Sequence, residues 1–460
     1  MPTYRSPGVY VEEVPSAIKA IAGVSTSIPG FIGIVPDTVV SPLSRVKNEA
    51  VGIGNGESVF DLASYPVQTD ANFEVRVDGV LIADATLSND DDAKVSRVTF
   101  TTAPTAGQVI IVDYQIIVRP PAVGSVELCT NFTKFKQLFG DFSDSSDPNY
   151  ERHSYLVHAV YGFFNNGGGS CYITRVTDPA TELDTALNAF AAIDPIALVV
   201  MPGETNDAFR DKLVTHCKNT GDRFAILDGP ETASDLTTLT RIAANGGVMP
   251  KTTDFAAYYF PRIEVFDPVS GEASPVPPSG HLAGIYARVD NDRGVHKAPA
   301  NEVIFGALNV SQAISKADQN NLNPQGVNCI RILNGNILVW GGRTVGGDSN
   351  ADLKYINVRR TLLFISESID EGLQWVVFEP NDPGLWQKIT RNVSGFLLNV
   401  WRSGALFGNT PQEAFYVKCD AETNPSELRE LGQVVTEIGV SIVRPAEFVI
   451  FRISQFTSPG

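Results

Sequence analysis

His153 and His158 are the first side chains in this sequence that could hold a metal, and their spacing argues against it. Zinc on one helix face takes two histidines four apart with a Glu after the first. Here they are five apart and Ser154 follows His153. The five cysteines, Cys129, Cys171, Cys217, Cys329 and Cys419, are scattered, odd in number and form no C-x-x-C. They read as buried thiols of a reducing compartment, not as a zinc or disulfide framework. Gly167-Gly168-Gly169 follows a helical stretch and has no Lys-Ser or Lys-Thr after it. A phosphate loop needs its glycines before a helix and a lysine that reaches the phosphates, so this run reads as a turn. Asp90-Asp91-Asp92 lacks the Gly and Glu of a calcium loop and reads as a solvated turn. No G-x-S-x-G elbow occurs. The 52 carboxylates cannot be placed across a cleft by sequence. The expectation is therefore no catalytic, cofactor or metal site, and an enzyme is disfavoured.

One charge pattern stands out. At about 100° per residue, Lys388, Arg391 and Arg402 fall in a narrow arc of a helix expected over 383–403. Leu385, Trp386, Ile389, Val393, Phe396, Leu397, Val400 and Trp401 take the other side, with Leu398 nearer the basic edge. The apolar side is broad enough to bury in its own domain. The stripe is either a solvated face or a docking face for an acidic partner.

The elements that would carry these residues are read from periodicity. Hydrophobic residues make up 43% and charged residues 19%, a balance that folds into packed cores. A length of 460 residues implies two to four domains. The net charge of −17 argues against non-specific binding to nucleic acid or anionic membranes. No uninterrupted apolar stretch reaches the roughly 18 residues of a membrane span. The N-terminus shows no basic stretch followed by an apolar run, so no secretory signal is expected, and an extracellular location would follow from lysis or from incorporation in a particle.

The fold class is α/β, multidomain, with mostly parallel or mixed sheets. Residues 1–25 form an arm. An N-terminal α/β domain takes 26–60 and 125–315, with 41–60 as loop. Residues 61–124, with the alternating "FEVRVDGVLI" turning at Asp78-Gly79, form a small inserted all-β module. "FIGIVP", "SCYITRV", "PIALVVMPG" and "RFAILDGP" are strands separated by helices, as in a parallel sheet covered on both faces. The alternation restarts at about 325, giving a C-terminal α/β domain over 325–445 in which "WVVFEP" is a strand. Residues 446–460 close the chain.

Both ends carry apolar strands. Val9, Tyr10 and Val11 lie between Pro7-Gly8 and Pro15, and Glu447 to Phe456 is apolar nearly throughout. A strand of about six residues is not stable alone in water. Either the two ends pair with each other or each is added to a neighbouring copy. The first gives a monomeric binding module and the second a polymer.

"YRSPGVYVEEVPS", "STSIPGFIGIV", "HAVYGFFNNGGGSCYITRV", "YINVRRTLLFISESIDEGLQWVVFEPNDPGLWQKI", "FLLNVWRSGALFG", "AFYVKCD" and "RPAEFVIFRI" together resemble the tail sheath proteins of contractile phage tails and extracellular contractile injection systems. The matching segments reach residue 453, and 61–124 falls outside the common core. The resemblance implies a structural subunit that stacks as hexameric rings around an inner tube and contracts to drive the tube through a target envelope. It implies exchanged strands at Val9, Tyr10, Val11, Phe448, Val449, Ile450, Phe451 and Ile453. It turns Lys388, Arg391 and Arg402 toward the tube, and the 61–124 module outward. The partners it implies are further copies of the chain, the inner tube protein, and baseplate and terminator or cap proteins, with no direct nucleic-acid contact and no membrane insertion. Assembly is expected in the cytoplasm of the producing cell.

Overall fold

The computed structural model describes residues 20–70 and 73–450. A nine-stranded sheet organises most of the chain. Its order is Glu302–Val303, Asn336–Val339, Val327–Leu333, Ala256–Phe260, Phe224–Asp228, Leu198–Val200, Pro29–Ile34, Cys171–Val176 and Val126–Cys129. The six strands from Val327–Leu333 to Cys171–Val176 are parallel, and the antiparallel pairs are at the margins. Continuous apolar runs form these strands because both faces are covered. Alternate residues serve two cores. Phe31, Ile173, Val200, Ile226 and Tyr259 join one, with the helices Glu151–Asn165 and Ser279–Arg293. Ile32, Val176, Val199, Leu227 and Tyr258 join the other, with Pro179–Ala191 and Asp207–Thr220. Gly280 lets the first two helices approach closely, since a Cβ there would strike the Ala159 backbone.

The stretch 41–60, expected as loop, is mostly strand. Val39–Ile53 pairs antiparallel with Val109–Val118, and Val59–Asp61 follows. The pairing shifts register three times, between Val40 and Arg45, Val46 and Glu49, and Ala50 and Gly52. Such bulges break the in–out alternation by which a strand is recognised. Val39–Ile53, Val109–Val118, Glu74–Val77 and Val80–Ile82 make one sheet, and Val59–Asp61, Val95–Phe100 and Ala85–Asp90 another. Side chains of both, among them Phe60, Val75, Val98, Phe100, Val112 and Tyr114, share a core of their own. The hairpin turns at Asp78 (φ 50°) and Gly79 (φ 80°), the left-handed pair that a two-residue turn requires.

Past residue 325 the chain first adds Val327–Leu333 and Asn336–Val339 to the nine-stranded sheet. The described chain divides into two compact units, residues 25–363 with 444–450, and residues 20–24 with 364–443. The smaller unit is built on the helix Pro383–Arg402. Leu385, Trp386, Ile389, Val393, Phe396, Leu397 and Val400 of this helix pack with Ile21, Ile365 and Leu406. Its sheet is the antiparallel pair Phe415–Lys418 and Glu437–Val440. "WVVFEP" is not a strand. Gln374–Val376 is a 3-10 turn after the helix Ile356–Leu373, and Phe378 follows with φ 68°. A short apolar run does not by itself separate a strand from a turn packed on a core, and Trp375 and Val376 pack on this one.

Candidate functional site

The residues that first suggested chemistry have structural partners. His153 is buried between Ser143 Oγ, 2.8 Å from Nδ1, and the Phe139 carbonyl, 2.8 Å from Nε2. Burial holds its pKa down to about 4, against the opposing pull of the Phe139 carbonyl. His158 is buried edge-on to the Phe142 ring, 3.8 Å from Asp267. Gly167 follows the Glu151–Asn165 helix, and its N–H donates to the Phe164 carbonyl. Asp90 accepts from the Ala93 N–H and from Arg97, and Asp91 from Tyr65 and Arg119. All five cysteines are buried, and burial pushes the Cys217 and Cys329 thiols up to about 12. Among the described residues no group of three His, Cys, Asp or Glu could hold a metal ion, and no helix is long and apolar enough to cross a membrane.

The Pro383–Arg402 helix places the basic stripe. Asp382 caps it by accepting from the Leu385 N–H at 2.8 Å, and Pro383 occupies its first turn. Trp386 Nε1–H donates to Asn381 Oδ1 at 2.8 Å, which fixes the start of the helix against the preceding loop. Burial of the apolar face leaves Lys388, Arg391 and Arg402 exposed, and none has an ion-pair partner among the described residues. Leu398 is half-buried at the edge of the stripe.

Two features of this face were not anticipated from sequence. Gly395 lies four residues after Arg391 and seven before Arg402, so it interrupts the stripe at its middle. It is exposed, and a Cβ there would meet nothing within 4 Å. With Ser394, Leu398, Pro411, Phe415 and Tyr416 it lines a groove of about 570 Å³. The spacing of Gly395 was a readable signal, whereas the groove depends on residues of the Phe415–Lys418 strand. That strand and its partner Glu437–Val440 form a sheet of two, so each has a four-residue edge that no other described strand pairs, and just past the second strand Ile442 bridges to Leu406. Tyr416, on the first strand, is 58% exposed.

Of the expected exchange residues, Phe448, Val449 and Ile450 are described. They lie outside any strand and are 70%, 68% and 79% exposed. Val9, Tyr10, Val11, Phe451 and Ile453 lie outside the described residues.

Comparison with known proteins gives a consistent result. The family model of the phage tail sheath protein central domain matches residues 179–345, and that of the phage tail sheath C-terminal domain matches 348–456. The tail sheath protein of Burkholderia phage BcepMu is 29% identical over 215 residues, covering 45% of this chain and 44% of the phage protein. The major tail sheath protein of Serratia phage KSP20 is 25% identical over 196 residues, covering 41% and 47%. The chain thus spans about half the length of the curated relatives it matches. A cryo-EM structure of the PVC sheath complex in its contracted state, from an extracellular contractile injection system, shares the fold. It has a TM-score of 0.65 and 24% identity, and the match covers 99% of both chains. The anti-feeding prophage baseplate structure contains a chain with the same fold, with a TM-score of 0.64 and 23% identity, covering 99% and 100%.

Proposed function

The chain belongs to the contractile tail sheath protein family, and from that premise we propose that it stacks as hexameric rings around an inner tube and drives that tube through a target envelope by contracting. The observation that carries this reading is one of unmet pairing. The chain presents apolar residues Phe448 to Ile450 outside any sheet, and also a two-stranded antiparallel sheet whose outer edges no other described strand pairs. A donor and an acceptor of strands in one polypeptide can be satisfied in a row of copies, each lending a strand to the next. Val9 to Val11 and Phe448 to Ile453 are the lent strands in this proposal. Each link of roughly four to six backbone hydrogen bonds, at about 0.5–1.5 kcal/mol net, contributes several kcal/mol before side-chain burial. Neighbours therefore stay joined while their bodies rotate and repack, and the motion passes from ring to ring.

Lys388, Arg391 and Arg402 face the inner tube in this proposal and dock an acidic surface. Contraction requires that contact to break, and exposed charge pairs worth up to about 1 kcal/mol each suit a reversible hold. The module over 61–124 faces outward in this proposal, and baseplate and cap proteins bound the column.

Negative-stain electron microscopy of the purified protein tests the proposal, beside a truncation lacking residues 1–15. Hollow striated tubes from the full chain, and none or only short stacks from the truncation, are expected. Dispersed particles from both, unchanged on adding purified tube protein, would reject polymerisation by strand exchange.

A further inference from the structure

The most heavily bonded carboxylate near the C-terminal segment is Glu447, one residue before the exposed apolar run begins. Arg343, 3% exposed, grips it with two hydrogen bonds, from Nε to Oε1 at 2.8 Å and from Nη2 to Oε2 at 2.7 Å. Asn323 Nδ2 adds a bond to Oε1 at 2.7 Å, and the Tyr355 hydroxyl one to Oε2 at 3.0 Å. Each carboxylate oxygen therefore accepts twice. The seat is itself braced. Arg343 Nη1 donates to Asp348 Oδ1 at 3.0 Å, and Asn328 clasps the Arg343 backbone, accepting from its N–H at 2.8 Å and donating to its carbonyl at 2.7 Å. Burial alone would raise the Glu447 pKa, but the Arg343 fork, Asn323 and Tyr355 outweigh it and hold the group ionised. A second tie, Arg444 to Asp352 at 2.6 Å, is exposed on both sides and contributes little. Beyond the seat, Phe448, Val449 and Ile450 stand in solvent.

A fork of fixed donors on a carboxylate sets direction as well as attraction, because the guanidinium admits one orientation of its partner. We propose that Glu447, seated on Arg343, Asn323 and Tyr355, is a positioning residue that fixes where and in which direction the C-terminal segment leaves the central-sheet unit, so that the apolar run is presented to a second copy of this chain. The identity of the recipient rests on the sheath reading. The fixing of the exit does not. Load on a lent strand is then received by the nine-stranded sheet through Arg343, and the search of the free segment for its recipient is narrowed before contact.

The test is Glu447→Gln, read by spin labels at Ile450→Cys and Leu308→Cys, the latter on the exposed face of the strand Ala307–Val310. The five native cysteines are buried, so the new ones label selectively. Glu447 is the variant of choice because Arg343 is buried and its loss could unfold the chain. Removing the charge takes away charge-assisted bonds, a change of roughly ten- to a hundredfold in the ratio of seated to released segment. The parent should give one narrow interspin distance. Glu447→Gln should broaden it while the chain still unfolds cooperatively, Asp348 remaining as counter-charge to Arg343 and the folded-to-unfolded ratio falling by no more than that same factor, and Glu447→Asp, which keeps the charge, should fall between. In parallel, Glu447→Gln should form tubes at least about tenfold less readily than the parent. An unchanged distance distribution, or tubes formed as readily as by the parent, overturns the proposal. If the parent itself forms no tubes with or without tube protein, the sheath reading falls, and the distance distribution alone decides the anchor.

Discussion

Gly395 is a mid-helix glycine that the chain's own fold does not need. It is exposed, its helical neighbours leave a Cβ more than 4 Å of open space, and its φ is not in the left-handed region. Ala in a helix interior is better than Gly by about 0.8–1.0 kcal/mol, through the smaller entropy lost on folding. With no clash to subtract, Gly395→Ala should raise unfolding free energy by close to that full amount, about fivefold in the folded-to-unfolded ratio. In urea, with a slope of about 2 kcal/mol per molar, the midpoint should rise by about 0.4–0.5 M at unchanged slope. Under the proposed docking role, a partner whose backbone approaches there would account for a fold that forgoes such a gain at the centre of a basic stripe. Gly395→Ala should therefore load onto inner tubes less well than the parent in co-sedimentation, although it is the more stable subunit. Loss of stability would refute the reading of open space. Stabilisation with undiminished loading would refute the close approach.

Reversing the stripe with Arg391→Glu and Arg402→Glu should leave the free subunit within about 0.5 kcal/mol of the parent, since both side chains are exposed, yet give sheath without stably extended particles; normal extended particles from the double variant would remove the docking role. Asp290 is 4% exposed and holds Arg360 by two bonds of 2.9 and 2.6 Å while accepting from Thr26 Oγ1. Asp290→Ala leaves that guanidinium buried without its counter-charge and should cost about 3–5 kcal/mol in chemical unfolding, and a loss below 1 kcal/mol would show the pair to be dispensable. Burial holds the His153 pKa down to about 4 and that of His281 down to about 3, the latter with a smaller push from His158. The unfolded chain takes up protons at these histidines from about pH 6.5 that the folded chain refuses. Their contribution is therefore fully present above pH 6.5 and is lost as pH falls toward 4 and 3, at about 1.4 kcal/mol per pH unit for each. Urea unfolding at pH 7, 6 and 5 should show this decline, and a flat profile would refute it.

The parallel strands were legible because burial on both faces leaves short continuous apolar runs, and here several of them alternate with helical patterns. In Phe224–Asp228 every residue is buried, and its neighbours simply divide between two cores. Val39–Ile53 left no such mark. Its partner strand lies some sixty residues on, its face alternates irregularly through three register shifts, and its Lys, Arg, Asn and Glu are those of a solvated edge. A sequence window sees the polarity and not the partner. "WVVFEP" failed in the opposite sense, because only Trp375 and Val376 pack on a core while Val377 and Phe378 are exposed, a split that local pattern cannot locate.

The same division runs through the functional surface. Lys388, Arg391 and Arg402 could be grouped because a single helix fixes their relation, and the three are exposed together. The groove at Gly395 could not, because Phe415 to Val417 reach it from another element. Glu447 is the extreme case. Among 52 carboxylates nothing nearby distinguishes it, and its seat is assembled from residues 92 to 124 positions away. In the proposed assembly the apolar run after it is a strand to be paired with a neighbouring copy. The direction in which that strand is offered is set by the side chain before the run, and by an arginine whose relevance only the folded sheet creates.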